Sequence, residues 1–102
     1  MKQPLFRIEY APGALDQLRE MGARDRATVV DNVERKLEHG PTLTARNKKP
    51  LRANELASWE LRIGEWRVYY DVEEMPEPVV TVRAVGRKVR DRVLIQGVEY
   101  EL

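Results

Sequence analysis

The sequence predicts an α+β fold in which two N-terminal helices pack on one face of a small twisted antiparallel sheet. Apolar residues recur at helical spacing between residues 15 and 37, and they alternate with polar residues from residue 58 onward. Glycine and proline pairs separate the segments. With 102 residues and no Gly/Ser-rich linker or internal repeat, the chain is expected to form one domain, residues 1–102.

The first forty residues predict a strand followed by a helical hairpin. Residues 5–10 have strand character, which ends at Pro12-Gly13. We expect the first helix to bury one face and to end at Gly22, and the second to be capped by Asp25 and to end at Gly40-Pro41. The predicted apolar positions are Leu15, Leu18 and Met21 in the first helix and Ala27, Val30, Val33 and Leu37 in the second.

The segment from residue 58 to residue 72 predicts a hairpin whose register can be derived. Two alternating runs are separated by Gly64-Glu65, a two-residue connection with glycine first, which is typical of a type II′ turn. In this register Arg62 lies opposite Arg67, and the large apolar residues share the other face. Like charges directly opposed across strands are unfavourable, so the pair predicts either an anion held between two guanidinium groups or a bridge from Glu60 or Asp71.

The remaining segments predict a basic loop, a third strand and a β-like tail. Residues 42–56 are basic and non-periodic, and should lead into the hairpin. A valine-rich strand over residues 79–85 is expected to end at Gly86 and to place Val80, Val82 and Ala84 on one face. The tail is expected to be a short strand or an irregular hairpin about Gln96-Gly97.

Charge is distributed unevenly although the net charge is only +1. Residues 41–70 carry net +3 and residues 81–92 carry net +4, on either side of an acidic segment at residues 71–80. These blocks predict either a polyanion partner or solvated strand and loop faces. The chain has no cysteine and one histidine, His39, so no metal or other cofactor is implied. Neither a membrane span nor a signal peptide is evident, which predicts a cytoplasmic protein.

Two stretches resemble the RelE/ParE superfamily of toxins from type II toxin–antitoxin systems. Residues 59–72 resemble the family's hairpin, with the pattern aromatic-x-Leu-Arg-x-Gly-x-aromatic-Arg-Val-x-Tyr. Residues 80–88 resemble its valine-rich strand, which ends in Val-Gly and a basic pair. The resemblance covers nearly the whole chain and implies the RelE/ParE-like form of the fold predicted above.

The resemblance implies a toxin that inhibits translation as a ribosome-dependent, metal-independent mRNA endoribonuclease (an mRNA interferase). In such enzymes the ribose 2′-hydroxyl attacks the adjacent phosphate, so cationic groups must neutralise the developing charge. The implied partners are a cognate antitoxin, the ribosome and mRNA, with no membrane. The implied catalytic residues are Arg62, Arg67, Arg87 and Lys88. The residues expected to contact RNA are Lys48, Lys49, Arg52, Arg83 and Arg90.

Two positions depart from the RelE pattern and leave other functions open. Glu60 stands where RelE has a lysine, and residues 93–95 (Val-Leu-Ile) carry no titratable side chain where RelE-like enzymes supply a proton donor. The first alternative is a ParE-like toxin that inhibits DNA gyrase and is not a nuclease. The second is a catalytically weakened superfamily member that mainly binds its antitoxin.

Overall fold

The computed structural model describes residues 5–100, which form a sheet and two helices. The elements in chain order are β1 (Arg7–Tyr10), α1 (Pro12–Glu20), α2 (Ala23–Leu37), β2 (Lys48–Pro50), β3 (Trp59–Ile63), β4 (Trp66–Glu73), β5 (Val79–Val89), β6 (Arg92–Ile95) and β7 (Val98–Tyr100). The last two residues of the predicted β-like tail lie outside the described range. None of the helices in this range is long and apolar enough to cross a membrane.

Strands β2 to β7 lie side by side in chain order, and each is antiparallel to the next. This confirms the predicted α+β fold with a largely antiparallel sheet. β1 differs, because it pairs in parallel with the N-terminal half of β5, with Arg7 opposite Val79. A parallel pair needs a long crossover connection, which α1, α2 and strands β2 to β4 provide.

Both helices cover the same face of the sheet, here called the helix face. α1 begins with Pro12, which suits the first helical turn, and it buries Ala14 and Leu18, while Leu15 is 38% exposed. α2 buries Val29, Val33 and Leu37, four residues apart, and Ala27 is exposed. The predicted apolar faces therefore included Leu18, Val33 and Leu37 correctly but were wrong at Leu15 and Ala27.

The second helix also begins earlier than predicted. Gly22 is its N-cap, with extended backbone angles, and Asp25 lies within the first turn instead of capping it. An acidic side chain in the first turn still interacts favourably with the positive end of the helix dipole. The residues that the helices cover, together with the facing strand residues, form the main core: Phe6, Ala14, Leu18, Val29, Val33, Leu37, Leu61, Ile63, Val68, Tyr70, Val80, Val82 and Val85.

The β3–β4 hairpin has the predicted register at every position. Arg62 pairs with Arg67, and Trp59 pairs with Tyr70, whose rings stack with centroids 6.3 Å apart. Gly64 occupies the first turn position with φ +57, a conformation that favours glycine and that a type II′ turn requires. The apolar alternation and the short turn thus set the geometry of this hairpin.

β5 continues through Gly86 to Val89, although the sequence predicted that Gly86 would end it. A Cβ atom at Gly86 would lie only 2.7 Å from Val93 Cγ1 and 2.8 Å from Ile95 Cγ1. The glycine therefore serves the close approach of β6 and does not break the strand.

β5 also contains a bulge that changes which side chains share a face. Tyr69 lies opposite Ala84 and Tyr70 lies opposite Val82, so Arg83 is an extra residue in β5. Val82 consequently faces the helices, whereas Ala84 faces the opposite side. The prediction that Ala84 shares a face with Val80 and Val82 was wrong for this reason.

A second, smaller core lies on the side of the sheet away from the helices, here called the loop face. Its buried residues are Tyr69, Ala84, Val93 and Ile95, and packed against them are Leu51, Leu56, Ala57 and Tyr100. The loop that covers them, residues 51–57, is organised by Asn54, whose side chain hydrogen-bonds to four backbone groups of the same loop. β6 and β7 form a hairpin about Gln96-Gly97, the second of the two forms expected for the tail, and both turn residues have positive φ.

One side chain bridges a gap along β5. β1 pairs with β5 as far as Val82, and β6 begins to pair with it at Arg87. Between them, the backbone N–H of Val85 donates a hydrogen bond to Oε1 of Gln17 from α1. The amide oxygen replaces the strand partner that β5 lacks at this point.

Candidate functional site

Arg62 and Arg67 lie side by side on the loop face, as the register requires. Arg62 Nε donates to Glu60 Oε1 at 3.0 Å, within the same strand. The Glu60 side chain is 6% exposed and that of Arg62 is 43% exposed, so the carboxylate is internal and the guanidinium reaches solvent. The sequence left open whether a bound anion or a neighbouring carboxylate offsets the opposed charges, and the structure supplies Glu60.

Arg67 is buried and directed at the hairpin turn. Its Nη1 atom donates to the carbonyl oxygen of Gly64 at 2.7 Å and to that of Trp66 at 2.9 Å. The residue is 8% exposed. Charge-assisted bonds of this kind tie the guanidinium group to the backbone of the two-residue turn. Arg67 is therefore part of the local scaffold.

Tyr69 lies directly opposite Glu60 and is fully buried beneath loop 51–57. Among residues 5–100 its hydroxyl meets no partner with full hydrogen-bond geometry, and the Glu60 carboxylate is the acceptor that acts on it. Burial, and then the negative charge of Glu60, raise the pKa of this hydroxyl well above its usual value. The phenol therefore stays protonated at neutral pH, and the side chain has no contact with solvent.

Arg87 and Lys88 point to opposite faces, because successive residues of a strand alternate. Arg87 lies opposite Trp66 and Leu94, and its Nε donates to Glu65 Oε2 at 2.7 Å. Lys88 lies opposite Val93 on the loop face and is exposed. The structure thus brings Arg62, Arg67 and Lys88 to one face and does not bring Arg87 there.

The residues expected to contact RNA are also divided. Lys48 lies opposite Leu61 on the helix face, where Nζ donates to the carbonyl oxygens of Lys36 and Gly40. Burial and the charge of Lys36 lower the pKa of Lys48. The ammonium group thus binds carbonyls at the C-terminal end of α2, where a positive charge is favourable. Arg83 is the extra residue of the β5 bulge, and its Nε atom lies 3.7 Å from Asp71 Oδ2.

Lys49, Arg52 and Arg90 remain exposed, and two of them line a cavity. The cavity has a volume of about 570 Å³ and lies between the start of loop 51–57 and the β5–β6 turn. Its lining residues are Lys49, Pro50, Leu51, Arg52, Ala53, Asn54 and Asp91. Within residues 5–100, no group of three His, Cys, Asp or Glu side chains is placed to hold a metal ion.

A family model described as the ParE toxin of the type II toxin–antitoxin system parDE matches residues 8–92. The chain belongs to this toxin family. The match spans both helices and the strands from β1 into β6. The toxin is therefore a RelE/ParE superfamily member, as the hairpin and valine-strand motifs predicted.

Solved structures support the same fold for the toxin. The toxin–antitoxin complex RelBE2 from Mycobacterium tuberculosis matches with a TM-score of 0.73 and 23% identity, over 85% of the toxin and 95% of the matched chain. At this identity the similarity concerns the fold alone. A comparison with curated proteins found no match.

Sequence reasoning missed the loop-face core of the toxin and its effect on the candidate site. The expected polar face around Tyr69 is covered by Leu51, Leu56 and Ala57. A signal was present, because these apolar residues interrupt an otherwise polar segment. Reading them as buried would have predicted that the basic segment folds back over the sheet.

Proposed function

We propose that this toxin inhibits DNA gyrase by binding to it, and that it does not cut mRNA. The observation that carries the proposal is the state of the Arg62–Arg67 pair. Arg62 is paired with Glu60, and Arg67 donates to carbonyls of its own turn. Stabilising a phosphorane requires donors that are aimed at the reacting phosphate before the reaction begins. These two guanidinium groups are aimed at groups of the protein instead.

The surroundings of the pair also favour a toxin that acts by binding. Arg87, which the RelE resemblance assigns to catalysis, lies on the helix face beside Glu65. Val93 and Ile95 lie where a RelE-like enzyme carries a proton donor, and both are buried in the loop-face core. General acid–base catalysis needs a group whose pKa is close to the working pH, and burial moves the pKa of Tyr69 away from it.

The proposal includes a cognate antitoxin as the partner that neutralises the toxin, in the cytoplasm where gyrase works. Membership of a type II toxin–antitoxin family supports this partner. An amphipathic segment laid over the sheet or along a free strand edge is a common way for such a partner to bind.

A second candidate function, ribosome-dependent mRNA cleavage, is favoured by one observation. Arg62, Arg67 and Lys88 do share the loop face, as an RNA-cleaving site would require. For this function Arg62 would have to exchange Glu60 for the scissile phosphate, and Lys88 would have to take part in proton transfer.

Two measurements on the full chain separate the candidates. In the first, purified toxin is titrated into gyrase-catalysed plasmid supercoiling, with topoisomerase I relaxation of the same plasmid as the control. In the second, mRNA 5′ ends are mapped by sequencing after the toxin is expressed in cells. We expect supercoiling to be inhibited, relaxation to proceed and mRNA to stay intact. Codon-internal cleavage at stalled ribosomes with gyrase fully active would reject the gyrase proposal.

A further inference from the structure

The toxin pairs most of its arginines internally but leaves one group of basic side chains unpaired. Six arginines lie within ion-pair distance of a carboxylate in contacts of 3.7 Å or less: Arg7, Arg19, Arg35, Arg62, Arg83 and Arg87. Within the described part of the chain, the basic side chains with neither an ion pair nor a hydrogen bond are Arg24, Lys36, Arg46, Lys49, Arg52, Lys88 and Arg90.

Four of these seven unpaired residues come from two segments that are distant in sequence but close in the fold. We call them the basic rim: Lys49, Arg52, Lys88 and Arg90. Lys49 and Arg52 lie on one side of the 570 Å³ cavity, and Asp91, which follows Arg90 in the β5–β6 turn, lies on the other. Lys88 projects from the same face of the sheet as Lys49. The fold therefore joins the two positive blocks of the sequence.

The lining of the cavity has a net positive charge, from Lys49 and Arg52 against a single carboxylate. Asp91 is the one carboxylate among the lining residues. Glu60, the nearest acidic residue of β3, is buried and already paired with Arg62. Clustered like charges raise the local potential and attract an oppositely charged partner. A nucleic-acid backbone carries negative phosphates at regular intervals, so several of them can each contact a different cation of the rim.

The aromatic residues decide which polyanion fits best. Single-stranded RNA is usually recognised by bases stacked on accessible aromatic rings. Among residues 5–100, every aromatic side chain is buried or half-buried, and Tyr69 and Tyr70 are fully buried. A surface that offers cations without stacking platforms suits contacts to the backbone of a duplex, which are independent of sequence.

We propose that the basic rim binds the phosphodiester backbone of duplex DNA. The proposal goes beyond gyrase inhibition and does not require that gyrase is the target, because the binding is a property of the toxin alone. In a complex with a DNA-bound enzyme, the rim would add contacts to the nucleic acid beside those to the protein.

The test compares two variants with the same change in charge. The rim variant combines Lys49→Gln, Arg52→Gln, Lys88→Gln and Arg90→Gln. The control variant combines Arg19→Gln, Arg24→Gln, Arg35→Gln and Lys36→Gln, all on the two helices. Binding of the full chain to a fluorescent duplex of about 20 base pairs is followed by anisotropy at several salt concentrations. Circular dichroism and thermal melting confirm that each variant is folded, and the single variants Lys49→Gln and Lys88→Gln serve if the rim variant is not.

With four phosphate contacts, wild-type affinity should fall about 150-fold between about 50 and about 200 mM salt, with a log–log slope of about −3.6. Each single rim variant should reduce the magnitude of that slope by about 1, and the rim variant should lose nearly all binding. The control variant should bind nearly as tightly as wild type. Equal losses in both fourfold variants, unchanged binding by the rim variant, or binding to single-stranded RNA about tenfold tighter than to the duplex would each overturn the proposal.

Discussion

Replacing Glu60 by glutamine would test whether an internal carboxylate makes the opposed arginines of the hairpin tolerable. The substitution keeps the shape of the side chain and removes its charge. Arg62 then lies opposite Arg67 without the negative charge that it contacts at 3.0 Å. Like charges directly opposed across strands are destabilising, so the variant should unfold at a lower denaturant concentration than wild type.

The burial of the two partners sets the expected size of the effect. Exposed ion pairs contribute about 0.2–1 kcal/mol, whereas breaking a buried pair costs about 3–5 kcal/mol. Glu60 is nearly buried, but Arg62 is 43% exposed, and solvent screens its charge. We therefore expect a coupling free energy of about 1–2 kcal/mol between these two side chains.

A double-mutant cycle measures this coupling directly. The cycle uses Glu60→Gln, Arg62→Gln and the double variant, with the free energy of unfolding obtained from urea denaturation. The matched control is the cycle of Glu65→Gln and Arg87→Gln. That pair has a shorter contact, 2.7 Å, but its side chains are 50% and 56% exposed. Its coupling should stay below about 1 kcal/mol.

The two cycles can also contradict a role for burial in the strength of these ion pairs. If the Glu65–Arg87 cycle gave the larger coupling, contact distance and not burial would control the strength of these pairs. If the Glu60–Arg62 coupling were zero, the carboxylate would not be what offsets the two guanidinium charges. A bound anion would then return as the explanation of the opposed arginines, and added sulfate should stabilise the wild-type chain more than the Arg62→Gln variant.

Three further predictions concern the scaffold of the site. Gln17→Ala leaves the backbone N–H of Val85 without its acceptor and should reduce the free energy of unfolding, measured in urea, by about 1–3 kcal/mol. The control, Glu20→Ala on the same helix, should change it by less than about 0.5 kcal/mol. Gly86→Ala should reduce the free energy of unfolding by about 1–3 kcal/mol, because the added Cβ would lie against side chains of β6. Gly13→Ala is the control, since its Cβ would meet no atom within 4 Å and the variant should be as stable as wild type. A lower melting temperature for Gly13→Ala than for Gly86→Ala would contradict this expectation. Burial raises the pKa of Tyr70 above that of an unfolded tyrosine, which is about 10. The contribution of Tyr70 to the free energy of unfolding is therefore complete below about pH 10 and is lost as the pH rises further. Tyr70→Phe should lessen the fall in the free energy of unfolding between about pH 10 and about pH 12, and an unchanged fall would contradict this assignment.

The sequence predicted the β3–β4 hairpin in full because local rules determine it. Alternation assigns each side chain to a face, and Gly64 fixes the length and type of the turn. The same alternation would have placed Arg87 and Lys88 on opposite faces if Gly86 had been taken as part of the strand. The valine-strand motif treats Arg87 and Lys88 as one basic pair, but the alternation of the strand directs their side chains to opposite faces of the sheet.

Other features depend on contacts that no local pattern reports. Lys48 is part of a three-residue strand, so its direction is set by pairing with β3 and by the end of α2. The bulge at Arg83 shifts the remainder of β5 relative to β4. Loop 51–57 covers Tyr69 through packing between residues that are far apart in sequence. Tertiary packing determined each of these outcomes, and it is also what decided which cations remain unpaired.

The position of β5 has a consequence for the synthesis of the toxin. β1 is made first, but its partner residues Val79–Val82 are made after both helices and the β3–β4 hairpin. The emerging chain therefore cannot complete its sheet until most of it has been translated. Until then, the apolar faces of the helices lack the β5 residues that they pack against in the finished fold. A translation product that ends before residue 79 would lack the strand that pairs with β1, β4 and β6, so we expect it not to complete the sheet.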